Sequence, residues 1–117
     1  GSGNGAAIAS YACRFVGNPY VYGGTSPENG ADCSGFVMAI YARFGISLPR
    51  TVGPQSYCGK GVSLAEAKPG DLIVYSGHIG IYIGGGKIVH ASTPRGGIKI
   101  SGVHSCGKII TVRRIVE

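Results

Sequence analysis

Three side chains in this sequence can carry nucleophilic chemistry together: Cys33, His78 and His90. A cysteine thiolate attacks carbonyl carbon, one imidazole takes the thiol proton, and a second imidazole bonded to the far nitrogen of the first fixes its tautomer and angle. The same three residues offer ligand atoms for zinc. That alternative fits less well, because the separation of His78 from His90 matches no close-spaced zinc motif and no second Cys or carboxylate joins by local spacing. No metal or organic cofactor is needed for the nucleophilic chemistry.

The elements that must position these groups can be read from the pattern. Phe36, Val37, Ile40, Tyr41 and Phe44 recur at three- and four-residue intervals, which predicts a helix with one apolar face, stopped by Gly45. Asp32 caps its start, so Cys33 falls in the first turn, where unpaired amides and the positive end of the helix dipole favour thiolate. Cys33 precedes Phe36 and Val37 by three and four residues, which turns it toward the buried side. Taken alone, a cysteine there reads equally well as a small core filler.

The histidines fall on a predicted hairpin. Alternating stretches Asp71 to Tyr75, His78 to Ile83 and Lys87 to Ala91 read as strands, and Ile98 to Ile100 and Ile109 to Val116 add two more. With Gly84 to Gly86 as a three-residue loop, Ile83 faces Lys87, Ile81 faces Val89 and Gly80 faces His90. His78, Gly80 and His90 then share one face, and Ile79, Ile81, Ile83, Val89 and Ala91 share the other. A slip of one residue would mix the histidines into the apolar face, so the pattern itself selects this register.

Upstream, Asn4 is expected to cap a helix reaching about Val16, closed by Gly17, with Cys13 as a packing residue. Asn18 to Gly24 reads as extended, Thr25 to Gly30 as a loop, and Ile46 to Thr51 as extended, because Pro49 biases Leu48 away from helix. Val52 to Gly61 reads as loop with one helical turn; Ser63 and Glu66 have capping-box spacing for a short helix Leu64 to Ala67. Helices first and a meander afterwards give an α+β class, because no strand is followed by a crossover helix.

A chain of 117 residues with 44% hydrophobic content is one domain with a sufficient core, and no apolar run is long enough to span a bilayer. Gly1 to Gly3 reads as a cloning remnant, and residues 4–117 as a single domain excised from a longer protein whose address is lost. Eleven Lys and Arg against five Asp and Glu give +6, which attracts anionic polymers. The basic residues are scattered and not interleaved with aromatics, which argues against nucleic acid; a wall rich in carboxylates or phosphates fits. His104 sits in a Gly- and Ser-rich loop and reads as solvated. Cys58 and Cys106, both in Gly-flanked loops, are available for a bridge in an oxidising compartment.

Read together, Asp32-Cys33-Ser34-Gly35-Phe36, Pro69-Gly70-Asp71-Leu72, His78-Ile79-Gly80-Ile81-Tyr82 and His90-Ala91-Ser92 resemble the NlpC-type cell-wall cysteine peptidases, a branch of the papain-like fold. Pro19-Tyr20-Val21-Tyr22-Gly23-Gly24 and Leu48-Pro49-Arg50-Thr51 extend the likeness over nearly the whole chain. The resemblance implies N-terminal helices packed on a central antiparallel sheet of about five strands. It also implies hydrolysis of peptidoglycan stem peptides, usually between γ-linked D-glutamate and the following diamino acid.

By the same resemblance Cys33 is the nucleophile, His78 the base and His90 the orienting residue. Tyr20 matches a tyrosine whose hydroxyl helps hold the oxyanion. Asp32 and Ser34 match positions that bind the stem peptide, Asp32 being placed to receive a free amine, and Arg50 matches a basic residue near the groove. Each also has a plain reading: Tyr20 as core, Asp32 as a cap alone, Arg50 as a solvated charge. Val52 departs from the small hydroxyl residue of many relatives, which leaves finer substrate preference open. The expected setting is secreted or wall-associated, as a monomer beside other domains. Two competitors stand: an amidase of the same fold, and a catalytically silent wall-binding module.

Overall fold

A computed structural model describes residues 4–117; the expected remnant at Gly1 to Gly3 lies outside the described residues. In chain order the elements are α1 (Asn4–Cys13), β1 (Thr25–Ser26), β2 (Gly30–Ala31), α2 (Cys33–Ala42), α3 (Val52–Gln55), β3 (Lys60–Val62), a 3₁₀ turn (Leu64–Glu66), β4 (Leu72–Tyr75), β5 (His78–Gly84), β6 (Lys87–Ala91), β7 (Ile98–Gly102) and β8 (Ile109–Arg114). Six of the strands form an antiparallel sheet in the order β3-β8-β4-β5-β6-β7, and β1 and β2 make a small separate hairpin. The α+β class and papain-like arrangement are as expected, with one strand more. The extra strand, β3, carries Gly61 and little apolar content, so only its pairing with β8 reveals it.

The sheet has two apolar faces. Ile79, Ile81, Val89 and Ala91 meet Ile8 and Ala12 of α1 and Phe36, Val37, Ile40 and Tyr41 of α2 in the main core. Each buried Ile, Val or Phe among them contributes on the order of 1.5–3 kcal/mol. A smaller cluster of Ile73, Tyr75, Ile88, Val103 and Val112 covers the opposite face. The ends are tied by charge. Asp71, just before β4, holds Arg114 of β8 through Oδ1–Nε at 3.0 Å and Oδ2–Nη2 at 2.8 Å, nearly out of solvent.

Several boundaries differ from expectation for local reasons. Asn4 lies within α1 rather than capping it, and the helix stops at Cys13, not Val16. Beyond that point the N–H groups of Arg14, Phe15 and Val16 reach back three residues instead of four, to Tyr11, Ala12 and Cys13, which tightens the chain into turns. Ser63 donates to the Glu66 carboxylate at 3.1 Å instead of capping backbone, and only a 3₁₀ turn forms there. On the hairpin, Ile81 pairs with Val89 as expected, but Gly84, not Ile83, pairs with Lys87. The register shifts between Tyr82 and Gly84, so the irregularity is absorbed at Ile83 and leaves the histidine end in register.

All four cysteines are free. Cys58 packs against the main core and Cys106 against the smaller cluster on the far face, so the sheet stands between the two thiols that were available for a bridge.

Candidate active site

The start of α2 is built by capping. Oδ1 of Asp32 accepts from the Gly35 N–H at 2.8 Å, and the cap fixes Cys33 as the first helical residue. A loop folds over this turn: Gly24 accepts from the Asp32 N–H at 3.1 Å. Position 35 tolerates only glycine there, since a Cβ would lie 2.1 Å from the Gly24 carbonyl oxygen. Tyr20 reaches the same place through a parallel bridge to Ala31, and burial first, then the neighbouring Cys33 and Asp32, push its phenol up.

Asp32 does more than cap. Its Oδ2 accepts from the Gly23 N–H at 3.0 Å, and Arg50 grips both oxygens, at 3.1 Å to Oδ1 and 2.9 Å to Oδ2. Arg50 also donates to Ser34 Oγ at 3.0 Å. Burial by itself would raise the Asp32 pKa, but the Arg50 hydrogen bond, the Gly35 and Gly23 amides and the Arg50 charge outweigh it and hold it below the ordinary value. The structure thus brings Asp32, Ser34 and Arg50 together, with the carboxylate already filled by partners from its own chain.

The second oxygen that sequence reasoning left for a substrate amine is therefore occupied in this arrangement. Gln55 of α3 was not foreseen. Fully buried, its Nε2 donates to the carbonyls of Ser34 at 3.0 Å and Pro49 at 2.7 Å, joining α2 to the Arg50 loop. An isolated polar residue in a loop-like stretch gives no periodic signal, so nothing in the chain marked it.

The two imidazoles are joined directly. His78 Nε2 stands 2.7 Å from His90 Nδ1, with ring centroids 5.0 Å apart and planes at 77°. A Cβ on Gly80 would lie 3.2 Å from that of His90 and 2.9 Å from Ile88 Cδ1, so the bare backbone there makes the room the rings use. His90 Nε2 in turn meets Ser101 Oγ of β7 at 2.8 Å. Ser101 lies one residue beyond the expected end of that strand. Alternation after Lys99 would have found it on the His90 face.

Cys33 is buried in the main core, and its sulfur is approached by the backbone N–H groups of Ile79, Ser34 and Cys33 itself. Ile79 directly follows His78, so the thiol meets the β5 backbone one residue along from His78. Sγ is not hydrogen-bonded to either ring in this resting arrangement. Burial pushes the Cys33 thiol up despite those amides, and burial also lowers the His78 pKa. His90 is driven down to about 4, by burial first and then by the neighbouring charges of His78 and Lys99. Desolvation thus opposes the expected bias toward thiolate from the helix end and favours the neutral forms of the thiol and of both rings.

With neutral rings the proton positions follow from the chemistry. If His78 is to accept a proton from a thiol, it must use Nδ1, because Nε2 is engaged with His90; Nε2–H then donates to His90 Nδ1, and His90 Nε2–H donates to Ser101. Among the described residues, the one group of side chains spaced to hold a metal ion is His78, His90 and Cys106, not the Cys33 set weighed from sequence. Cys106 Sγ lies 3.9 Å from His90 Nδ1. His104, expected to be solvated, is exposed.

Comparison with known proteins follows the same lines. The NlpC/P60 family matches residues 17–113. A probable endopeptidase p60 of Listeria innocua is 38% identical over 106 residues, covering 86% of this chain and 22% of its own length. The bifunctional muramidase/DL-endopeptidase CwlT of Bacillus subtilis is 39% identical over 93 residues, covering 73% of this chain and 28% of its own. The chain thus spans less than a third of these curated relatives. The structure of the peptidoglycan hydrolase RipB from Mycobacterium tuberculosis superposes with a TM-score of 0.84 at 34% identity, covering 100% of this chain and 69% of that one.

Proposed function

The chain belongs to the NlpC/P60 family, and on that premise we propose that it is a cysteine endopeptidase that cuts peptidoglycan stem peptides between γ-linked D-glutamate and the following diamino acid. The observation that carries the reading is the His78–His90 bond. It commits Nε2 and leaves Nδ1 of His78 as the nitrogen for a thiol proton, beside the strand position against which Cys33 rests.

In the proposed reaction His78 Nδ1 takes the Cys33 proton as sulfur attacks the γ-glutamyl carbonyl carbon. General-base catalysis suits the resting neutral pair, because the proton moves as the bond forms and no thiolate need pre-exist. Backbone N–H groups at the start of α2 and the Tyr20 hydroxyl stabilise the oxyanion. The imidazolium gives its proton to the departing amine, leaving a thioester on Cys33. Water, deprotonated by His78, then releases the new carboxylate and restores the thiol.

His90 and Ser101 hold the base in one tautomer throughout. Tyr20, Asp32, Ser34 and Arg50 frame the groove around the thiol. With its oxygens filled by Arg50, Gly23 and Gly35, Asp32 positions this frame rather than receiving an amine. Residues 4–117 act as one catalytic unit, as a monomer, at the cell wall, where the +6 charge favours approach to an anionic polymer.

Digesting peptidoglycans of different stem chemistry and identifying the fragments by mass spectrometry tests the reading. The expected products are a stem ending in D-glutamate and a fragment with a newly free diamino acid amine. An intact stem freed from its sugar would make the chain an amidase, and no fragments with any wall would favour a silent binding module.

A further inference from the structure

Cys106 takes no part in the proposed hydrolysis, yet it faces the two rings on which that hydrolysis depends. It packs with the smaller cluster on the far side of the sheet from Cys33, beside an open cavity of about 350 Å³ lined by His78, His90, Lys99, Ser101 and Cys106 among others. The ligand atoms of His78, His90 and Cys106 all lie within 4.8 Å of one another. We propose that these three side chains form an inhibitory site for a thiophilic divalent cation, zinc being the fitting one.

The geometry is close to what zinc requires. In a tetrahedral site, bonds of about 2.0–2.1 Å to nitrogen and about 2.3 Å to sulfur put ligand atoms roughly 3.3–3.6 Å apart. The ring nitrogens here are 2.7 Å apart and the sulfur is 3.9 Å from His90 Nδ1, so the rings part and the thiol closes by a few tenths of an ångström. The two nitrogens now face each other in a hydrogen bond, which an ion between them and the thiol would replace. The cavity leaves the fourth position open to water. Burial pushes the Cys106 thiol up, and the Lys99 charge opposes that shift in part; Lys99 lines the same cavity but is exposed and free to swing away from an ion.

The protons balance without a co-reactant. His90 Nδ1 already presents a lone pair and keeps its hydrogen on Nε2, bonded to Ser101. His78 must offer Nε2, so its hydrogen moves to Nδ1, and Cys106 releases one proton to solvent. His78 Nδ1 then carries the hydrogen at the very position that accepts the Cys33 proton, and the base is disabled. The inhibitory consequence rests on the proposed role of His78; the binding of the ion does not.

The test uses the reduced protein with zinc alone, and cobalt(II) as a coloured substitute. Titration is expected to show one ion per chain, release of one proton, and a thiolate-to-cobalt charge-transfer band. Cys106→Ser should remove the band and weaken binding by at least about tenfold, while Cys33→Ala keeps both. Zinc should arrest peptidoglycan digestion by the parent, reversibly with chelator, whereas Cys106→Ser digests at the parent rate and resists the same zinc. A band that survives Cys106→Ser, a band lost in Cys33→Ala, or no ion bound at about 100 μM would overturn the site. A Cys106-dependent band in a protein that digests no wall would sustain the site and defeat the peptidase reading instead.

Discussion

Nε2 of His78 lies 2.7 Å from Nδ1 of His90, and the second ring passes the constraint on to Ser101 at 2.8 Å. The proposed base is thereby held by a partly buried chain of two hydrogen bonds running across β5, β6 and β7.

Removing the acceptor from this chain should cost rate and not binding. His90→Leu is expected to lower kcat by about 10²–10⁴-fold with KM little changed, since the base loses its orientation. His90→Asn keeps an acceptor for Nε2–H and should retain part of the rate. Steady-state kinetics on a purified stem peptide, with folding checked by circular dichroism, would decide; a change confined to KM would contradict the positioning role.

The same burial sets a pH dependence. With His90 near 4 in the folded chain and about 6.5 unfolded, the unfolded state binds the extra proton between those values. Stability is therefore full above about pH 6.5 and falls as pH drops toward 4, by roughly 3 kcal/mol for this residue, with lowered His78 acting in the same direction. Denaturant unfolding from pH 7 to pH 4 measures it. His90→Asn should flatten the profile, and an equal slope in the variant would refute the assignment.

Asp32 tests whether the groove binds an amine or is braced. Arg50 is about a third exposed, at 35%, so loss of its bridge is worth no more than about 1 kcal/mol of stability. Asp32→Asn is expected to reduce cleavage of stems with free and with blocked amino termini by the same factor, because both carboxylate oxygens already have partners. A loss confined to free-amine stems would show that Asp32 reads the substrate directly.

Asp71 and Arg114 lie away from the chemistry and should separate stability from activity. Asp71→Ala leaves a nearly buried guanidinium without its partner and is expected to destabilise by about 3–5 kcal/mol. Thermal unfolding reads the loss, while activity per folded molecule at low temperature should stay near the parent's.

Much of this was legible in the chain. Phe36 to Phe44 announced α2, Asp32 announced its cap, and the alternation from His78 to Ala91 fixed the face shared by both histidines, because one wrong step would have buried them. What stayed hidden depends on contacts distant in sequence. The strand β3 exists through its partner β8; Gln55 acts through the carbonyls of Ser34 and Pro49; Cys106 comes to His90 through a turn with no pattern of its own. The burial that opposes the helix-end bias toward thiolate at Cys33 is hidden for a related reason. A helix start is visible in sequence, whereas the depth at which folding buries it is not.

The identity of the nucleophile is tested most directly by quenching the protein during turnover of a stem peptide and measuring intact mass, alongside fragment release by Cys33→Ala and Cys13→Ala. A thioester adduct on Cys33, no fragments from Cys33→Ala and parental release from Cys13→Ala are the expected results. Release by Cys33→Ala at the parental rate would contradict the mechanism outright.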